Sequence, residues 1–462
     1  MVATIFVCRI LRQLTSASAA KYNHGLSVMD MTVTEALERI AARNPALNAF
    51  ISVLANESLD EARLLEEQRG RGVHLPLHGL PISIKDIIDV QGVPTTAASR
   101  VREGHVAESD APVVARLRKA GAIIIGKTNL HEFALGTTND ESAFGPARNP
   151  HDLTRSPGGS SGGSGAAVAA CLSWASIGTD TGGSIRIPAA ACGVVGLKPS
   201  VGDVPTTGVV PLSPSLDHVG PIARSVADAW RIYDVLTGRP SFQHAQMPVR
   251  GLRLGRLGGY FLERLDVEVR RRFEEALERL RGAGASTKDV TIRLAAEAPA
   301  IYVNIALPEA YAYHAKTIAA VPDRYSSGVA ARLLAGKDVS AERYVSAQRQ
   351  RAALRAEVET LLAGYDALVL PTMPIPAPPI GATDIDVDGR LEPVRMMMLR
   401  LTQVFNLSGH PAISVPCGHT REGLPCGFQL VGGLGATAAL LNVARACEPQ
   451  ITPSPFRCAG DY

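Results

Sequence analysis

The chain lacks any strong excess of charge. Its 47 basic and 44 acidic residues leave a formal net charge of +3, too little for the electrostatic footprint of a nucleic-acid or anionic-membrane binder. It has no apolar run long enough to span a membrane. Its seven cysteines include no Cys-x-x-Cys pair. Their odd number and scatter predict reduced thiols in a cytoplasmic protein rather than a disulfide framework. His74 and His78 have a zinc-like spacing but no second ligand pair after them, and they read as a solvent-exposed loop. Neither a metal nor a cofactor is expected. Internal repeats and charge blocks are also missing.

What is present is an ordinary globular composition. Of 462 residues, 46% are apolar and 20% charged, enough to bury a large core. Residues 1–30 read as an N-terminal extension. Its opening apolar stretch is broken by Arg9 and followed by Arg12, an order unlike a signal peptide, and Met29 or Met31 stands as an alternative start. Beyond it, helix signals cover 32–43 and 59–69, the second capped by Ser58. A strand is predicted over 81–90. Asp110-Ala111-Pro112 then opens a helix to about residue 120, before a buried strand over 122–125. A small-residue helix (166–170), helices over 224–236 and 267–280, and a strand over 252–257 follow. The remaining signals are a helical stretch over 299–362 interrupted near Pro322, strands over 367–370 and 412–415, and a closing helix over 436–447. Such alternation predicts an α/β architecture.

Two formal motif matches fail on context. Gly121 to Thr128 fits the phosphate-loop pattern letter for letter, but the four residues between its glycines are Ala-Ile-Ile-Ile. They are the strand itself, where a phosphate loop needs flexible residues. Gly158-Gly159-Ser160-Ser161-Gly162 fits the nucleophile elbow, yet a polar loop containing Pro150 and Pro157 precedes it where an apolar strand is required. Asp217 and His410 could complete that triad on paper.

Three polar residues in apolar or glycine-rich frames carry more. Lys85 follows Pro81-Ile82-Ser83-Ile84, Ser160 lies in Gly158-Gly159-Ser160-Ser161-Gly162-Gly163-Ser164, and Ser184 ends Thr181-Gly182-Gly183-Ser184. Plain readings exist for each. Lys85 could be a surface lysine paired with Asp86 or Asp89, the glycine–serine loop a linker, and residues 181–184 a turn. The functional reading is a serine nucleophile activated without histidine. Paired glycines would let successive backbone N–H groups point into one concavity and hold an oxyanion.

Together these segments resemble the amidase signature family. The likeness covers most of the chain. It extends through Gly126-Lys127-Thr128-Asn129-Leu130-His131-Glu132-Phe133, Gly193-Val194-Val195-Gly196-Leu197-Lys198-Pro199 and Ser215-Leu216-Asp217-His218-Val219-Gly220-Pro221. It ends with Asn406-Leu407-Ser408-Gly409-His410-Pro411-Ala412 and Gly423-Leu424-Pro425-Cys426-Gly427-Phe428-Gln429. The resemblance implies a mixed twisted β-sheet covered by helices on both faces, forming one domain over 31–455. A variable helical region at about 242–322 would line the substrate entrance. By motif position it implies a Ser-cisSer-Lys set of Lys85, Ser160 and Ser184, with a cis peptide between Gly159 and Ser160. The two serines stand 24 residues apart, as the family pattern requires.

The chemistry of that set follows from solvation. A serine hydroxyl attacks only when a base takes its proton. Lysine, with an ordinary pKa of about 10.4, can serve only if burial removes its charge. Ile82, Ile84, Ile87 and Ile88 provide the apolar setting. Neutral Lys85 would deprotonate Ser160, Ser160 would deprotonate Ser184, and the N–H groups of Thr181, Gly182, Gly183 and Ser184 would hold the oxyanion. Asp180 and Arg186 are expected to keep this loop rigid. Gly159, Leu135 and Phe144 are the expected substrate contacts.

The family also holds glutamine-dependent amidotransferase A-type subunits, which act with partner proteins. Those carry a Glu-Ala-Ser-Ser-Asn-Leu-Ala-Arg motif where this chain has Leu307-Pro308-Glu309-Ala310-Tyr311-Ala312-Tyr313-His314. At the place of their amino-group-binding aspartate stands Leu399, with Arg400 beside it. Both departures favour a free-standing hydrolase. Its expected substrates are small neutral linear or aryl amides, extending to carbamates, urethanes or ureas. A homo-oligomer is compatible with this composition.

Overall fold

All five residues of the strand Pro81–Lys85 are buried, as a central parallel strand covered on both faces requires. The computed structural model describes residues 31–239 and 247–460; the N-terminal extension and Cys8 lie outside them. The strands are β1 (Phe50–Val53), β2 (Pro81–Lys85), β3 (Ile123–Thr128), β4 (Ala175–Thr179), β5 (Val195–Lys198), β6 (Val219–Ala223), β7 (Arg253–Leu257), β8 (Ser286–Val290), β9 (Ala367–Pro371), β10 (Asp384–Val387), β11 (Arg390–Pro393), β12 (Ala412–His419) and β13 (Pro425–Val431). Eleven form one sheet in the order β1-β3-β2-β4-β6-β5-β12-β13-β9-β7-β8. β2 is parallel to β3 and β4, and β7 to β8 and β9. The other pairs are antiparallel. β10 and β11 make a separate hairpin.

The helices are α1 (Val33–Leu47), α2 (Ala55–Gly70), α3 (Pro112–Lys119), α4 (Gly162–Ala169), α5 (Arg186–Cys192), α6 (Val226–Thr237), α7 (Val267–Gly282), α8 (Ala298–Ala320), α9 (Ser327–Lys337), α10 (Ala341–Leu362), α11 (Val394–Arg400), α12 (Gln403–Ser408) and α13 (Thr437–Ile451). They flank the sheet. This is the mixed α/β fold expected from the sequence.

Strand alternation sets the polarity of β2. Ile82 and Ile84 share one face, Ser83 and Lys85 the other. Each fully buried isoleucine contributes about 1.5–3 kcal/mol, and the Ser83 hydroxyl is satisfied by Ser173 Oγ at 3.1 Å. α4 begins at Gly162 rather than 166, despite a cost of about 1 kcal/mol per glycine. Close packing decides this: a Cβ on Gly163 would stand 2.5 Å from the Asn129 carbonyl oxygen.

Several local expectations fail, each because a tertiary partner wins. Ser58 is not a cap but sits inside α2, where its hydroxyl donates to Ile124 O at 3.2 Å. Asp110 does not cap α3; it accepts from Gln91 N at 2.8 Å and pairs with Arg118 at 3.2 Å. β2 stops at Lys85 because a turn follows, with Ile87 N and Ile88 N both donating to Lys85 O. His78 is buried rather than exposed, bonded to Leu65 O at 2.8 Å. Cys171 and Cys458 form a disulfide, so the expectation of reduced thiols fails for this pair. A pairing across 287 residues leaves no local sequence signal. In the 242–322 region, β7, α7 and β8 extend the edge of the sheet, and α8 is the part that reaches the site described below.

The Gly121 to Thr128 segment contains β3, and Lys127 lies within that strand rather than in a polar turn. Its ammonium is buried, 3.0 Å from Asp86 Oδ1, and donates to Pro94 O and Thr95 Oγ1 at 3.1 Å. Breaking a buried ion pair by removing one partner strands the other charge. Lys127→Ala is expected to lower the unfolding free energy by about 3–5 kcal/mol, read from urea denaturation, and Lys127→Met with Asp86→Asn to cost less. A small loss for Lys127→Ala would contradict this placement.

Candidate active site

β2 ends on Lys85 and its parallel neighbour β4 ends on Thr179. Lys85 Nζ lies 2.8 Å from Ser160 Oγ and 2.7 Å from Thr179 Oγ1. Lys85 is fully buried, and Asp86 beside it in sequence pairs with Lys127 instead. Burial pushes the Lys85 pKa down to about 7, against the pull of the Asp180 and Asp217 carboxylates. A substantial fraction is therefore neutral near pH 7, and a neutral amine can accept a proton from the hydroxyl it touches.

Ser160 stands just before α4, in a segment pressed against two neighbours. The Gly159–Ser160 peptide is cis. A Cβ on Gly159 would lie 2.9 Å from backbone atoms of Thr137 and Thr138, so only glycine fits. Ser161 ties this segment to the next: its N–H donates to Ser184 O at 3.3 Å and its hydroxyl to Thr179 O at 3.2 Å. Ser184 itself lies in the connection from β4 to α5 and is 5% exposed.

That connection is held rigidly from behind. Asp180 and Arg186 are fully buried and face each other, with Arg186 Nη2 3.0 Å from Oδ1 and Nε 3.1 Å from Oδ2. Arg186 also donates to Thr402 O, Gln429 Oε1 and Asn406 Oδ1. Burial alone would raise the Asp180 carboxyl, but the Arg186 guanidinium holds it well below the usual carboxylate range. Thr402 Oγ1 donates to Gly182 O at 2.6 Å. Because a trans peptide points its C=O and N–H in opposite directions, this bond turns the Gly183 N–H away from Thr402. Gly183 has φ +142°, and a Cβ there would collide with Thr402 Oγ1. The N–H groups of Thr181, Gly182, Gly183 and Ser184 donate to no acceptor among the described residues. Buried N–H groups are almost always paired. Four consecutive free ones form a ready site for an oxyanion.

Thus the fold brings together Lys85, Ser160, Ser184, the 181–184 loop, Asp180 and Arg186. It places the other expected substrate residues differently. Leu135 is buried in the main core. Phe144 is 44% exposed and lines a separate cavity of about 320 Å³ with Thr96, Ser99 and Arg100. A larger cavity of about 460 Å³, bounded by His151, Cys192, Glu448 and Phe456, shares no lining residue with the Lys85–Ser160–Ser184 set. His410 and Asp217 form no triad; the Asp217 carboxylate is occupied by Thr181 Oγ1, Leu212 N and Ser213 N. Cys192 is no alternative nucleophile: burial pushes its thiol pKa up, and its Sγ faces Pro157 O at 3.3 Å.

Sequence reasoning missed Thr179, Thr402, Asn406, Gln429 and Tyr302. Asn406 and Gln429 fall in segments that carry the family resemblance and Thr179 directly precedes Asp180, but nothing in the composition around any of the five marks a role. A Cβ on Gly182 would lie 2.8 Å from Tyr302 Oη and 2.9 Å from Leu399 Cδ2, so these two side chains form the wall above the loop. Among the described residues, no group of three His, Cys, Asp or Glu side chains is placed to hold a metal ion. No described helix is long and apolar enough to cross a membrane.

A mixed sheet that delivers a depressed lysine to a serine, beside a loop of free N–H groups, has the parts of a histidine-free serine hydrolase. The family model for Amidase matches residues 31–441. The chain belongs to the Amidase family. It is 40% identical over 475 residues to the A-type subunit of the glutamyl-tRNA(Gln) amidotransferase from Symbiobacterium thermophilum, covering 93% of this chain and 96% of that one. A crystal structure of an amidase superposes with TM-score 0.86 at 37% identity, covering 97% of this chain and 99% of the other. The corresponding A-type glutamyl-tRNA(Gln) amidotransferase subunit of Thermotoga maritima superposes with TM-score 0.76 at 33% identity, covering 93% and 98%.

The Lys85 pKa gives the site a pH signature. Its folded value of about 7 lies below the ordinary 10.5. Its burial therefore costs stability, about 5 kcal/mol, fully present below pH 7 and relieved as pH rises toward 10.5. Activity is expected to rise through about pH 7 to an alkaline plateau. Lys85→Ala should lower kcat by about 10²–10⁴-fold, and Lys85→Met should be more stable than the parent at about pH 6. An activity maximum at acid pH would contradict a lysine base.

Proposed function

We propose that this chain hydrolyses an amide C–N bond through an acyl-enzyme on Ser184. Lys85, neutral, takes a proton from Ser160 as Ser160 takes one from Ser184. Ser184 Oγ attacks the carbonyl carbon, and the N–H groups of residues 181–184 receive the oxyanion. The proton returns along the same path to the departing amine, and water then releases the acid. The run of four free N–H groups next to Ser184 is the observation that carries this reading.

Two substrate readings share that chemistry. The relatives named as A-type subunits of glutamyl-tRNA(Gln) amidotransferase favour a glutaminase that works with partner proteins, and as names they support it better than free-standing hydrolysis. The wall of the site supports the other reading. Leu399 places a methyl group over Gly182, and an apolar wall gives a free α-ammonium no counter-charge. On that geometry we favour a free-standing hydrolase of amides that lack a free α-amino group, neutral linear and aryl amides foremost. Carbamates and ureas present the same carbonyl geometry and fall within the reading.

Ser184→Ala is expected to abolish turnover, and a fluorophosphonate should label Ser184 in the parent chain. Comparing kcat/KM for a neutral anilide with that for glutamine, without partner proteins or ATP, separates the two readings. A higher value for glutamine would reject the substrate assignment and leave the Ser184 assignment standing. Labelling of Ser160 with Ser184 free would reject the mechanism.

A further inference from the structure

The first residue of the loop of free N–H groups is held by a carboxylate from a different part of the chain. Thr181 Oγ1 donates to Asp217 Oδ1 at 2.6 Å. Leu212 N and Ser213 N donate to Asp217 Oδ2 at 3.0 and 3.1 Å. Ser213 N is shared with Oδ1 at 3.2 Å, so both carboxylate oxygens accept from the chain, as an acceptor-only side chain can. Thr402 fixes the carbonyl of Gly182. Asp217 gives the adjacent residue, Thr181, a second anchor.

The turn that carries Asp217 is tied in turn to the helical layer. Glu309 on α8 accepts from Ser213 Oγ at 2.6 Å, Ser215 N at 3.1 Å and Ser215 Oγ at 2.7 Å. It also accepts from Tyr344 on α10, at 2.8 Å. Arg351, also on α10, donates to Ser215 O at 2.8 Å. The same α8 carries Tyr302, which stands over Gly182. A continuous set of bonds therefore runs from α8 and α10, through Ser213 and Ser215, to Asp217 and Thr181.

We propose that Asp217 is a positioning residue that sets the oxyanion loop through the Thr181 hydroxyl, and that Glu309 holds Asp217 in register from the helical layer. The proposal rests on the reading of residues 181–184 as the oxyanion site. A donor misplaced by about 1 Å costs on the order of 100-fold in rate, so a single hydroxyl contact at the start of the loop bears on all four donors. The effect falls on the transition state, where the negative oxygen exists, and spares ground-state binding.

The test uses the full chain with two readouts: the second-order rate of Ser184 labelling by a fluorophosphonate, and kcat and KM for a neutral anilide. Thr181→Val and Asp217→Asn should each slow labelling and kcat by about 10–100-fold and change KM less than about twofold. Thr181→Ser keeps the hydroxyl and should retain the parent rate. The double variant should be no slower than the slower single, because both changes remove one contact. Glu309→Gln should slow labelling by about 10-fold and add nothing once Asp217 is Asn. Additive losses in the double variant, or Thr181→Ser as slow as Thr181→Val, would overturn the proposal. Should Asp217→Asn unfold, the Thr181 Ser-against-Val comparison still decides, since both variants keep the carboxylate. A parent chain that is never labelled at Ser184 would fail the hydrolase reading itself, a different result from labelling that proceeds with additive losses.

Discussion

An amine buried against two hydroxyls, with no carboxylate of the described residues at ion-pair distance, is the constraint on which the rest of the site depends. Among the described residues three lysines are fully buried, and the fold treats each differently. Lys127 faces Asp86 at 3.0 Å and keeps a counter-charge. Lys198 meets Pro199 O at 3.0 Å and His218 Nε2 at 3.3 Å, and burial drives its pKa well down. Lys85 meets Ser160 and Thr179. Of the three, Lys85 alone is bonded to a serine hydroxyl, with its pKa pushed down to about 7. The stability given up by burying Lys85 beside hydroxyls is recovered by the apolar layers around β2.

A second buried charge system serves the opposite end. The Asp180–Arg186 pair is dry, two-pronged and saturated by Asn406, Gln429 and Thr402. Such a pair contributes little net stability, since desolvation offsets its attraction. Its value is geometric. It clamps both ends of the segment that carries residues 181–184, so their N–H groups stay free without collapsing onto a local acceptor. Preorganised donors of this kind cost no rearrangement when charge develops.

Membership of the Amidase family fixes the carbonyl chemistry more firmly than the substrate. The 0.86 superposition on an amidase and the 0.76 superposition on a tRNA-amidotransferase component share one architecture. The 181–184 loop is covered by side chains from the helical layer. Here that cover is Tyr302 from α8 and Leu399 from α11, two elements outside the glycine-rich segments. A fold hosts several substrates by changing such walls and leaving its strands alone.

Five of the thirteen described strands, most helices, and the apolar and glycine-rich frames around Lys85, Ser160 and Ser184 were legible in the sequence. Isoleucine runs, glycine clusters and small-residue stretches are local patterns with local causes. Local pattern also marked Asp180 and Arg186, because both fall within the same short segment as Ser184. It failed where distant chain segments decide. Ser58 looked like a cap but bonds to β3, Asp110 looked like a cap but pairs with Arg118, and Cys171 looked free but joins Cys458. Leu135 and Phe144 were apolar residues near a motif, and nearness in sequence did not place them beside Ser184. Tyr302, Thr402 and Asp217 acquire their parts only when helices and turns more than thirty residues from the loop close over it. The sequence by itself determined which residue types stand ready for acyl transfer. The tertiary structure alone decided which of them lose water, because burial and hydrogen-bond partners belong to the packed chain and not to its order.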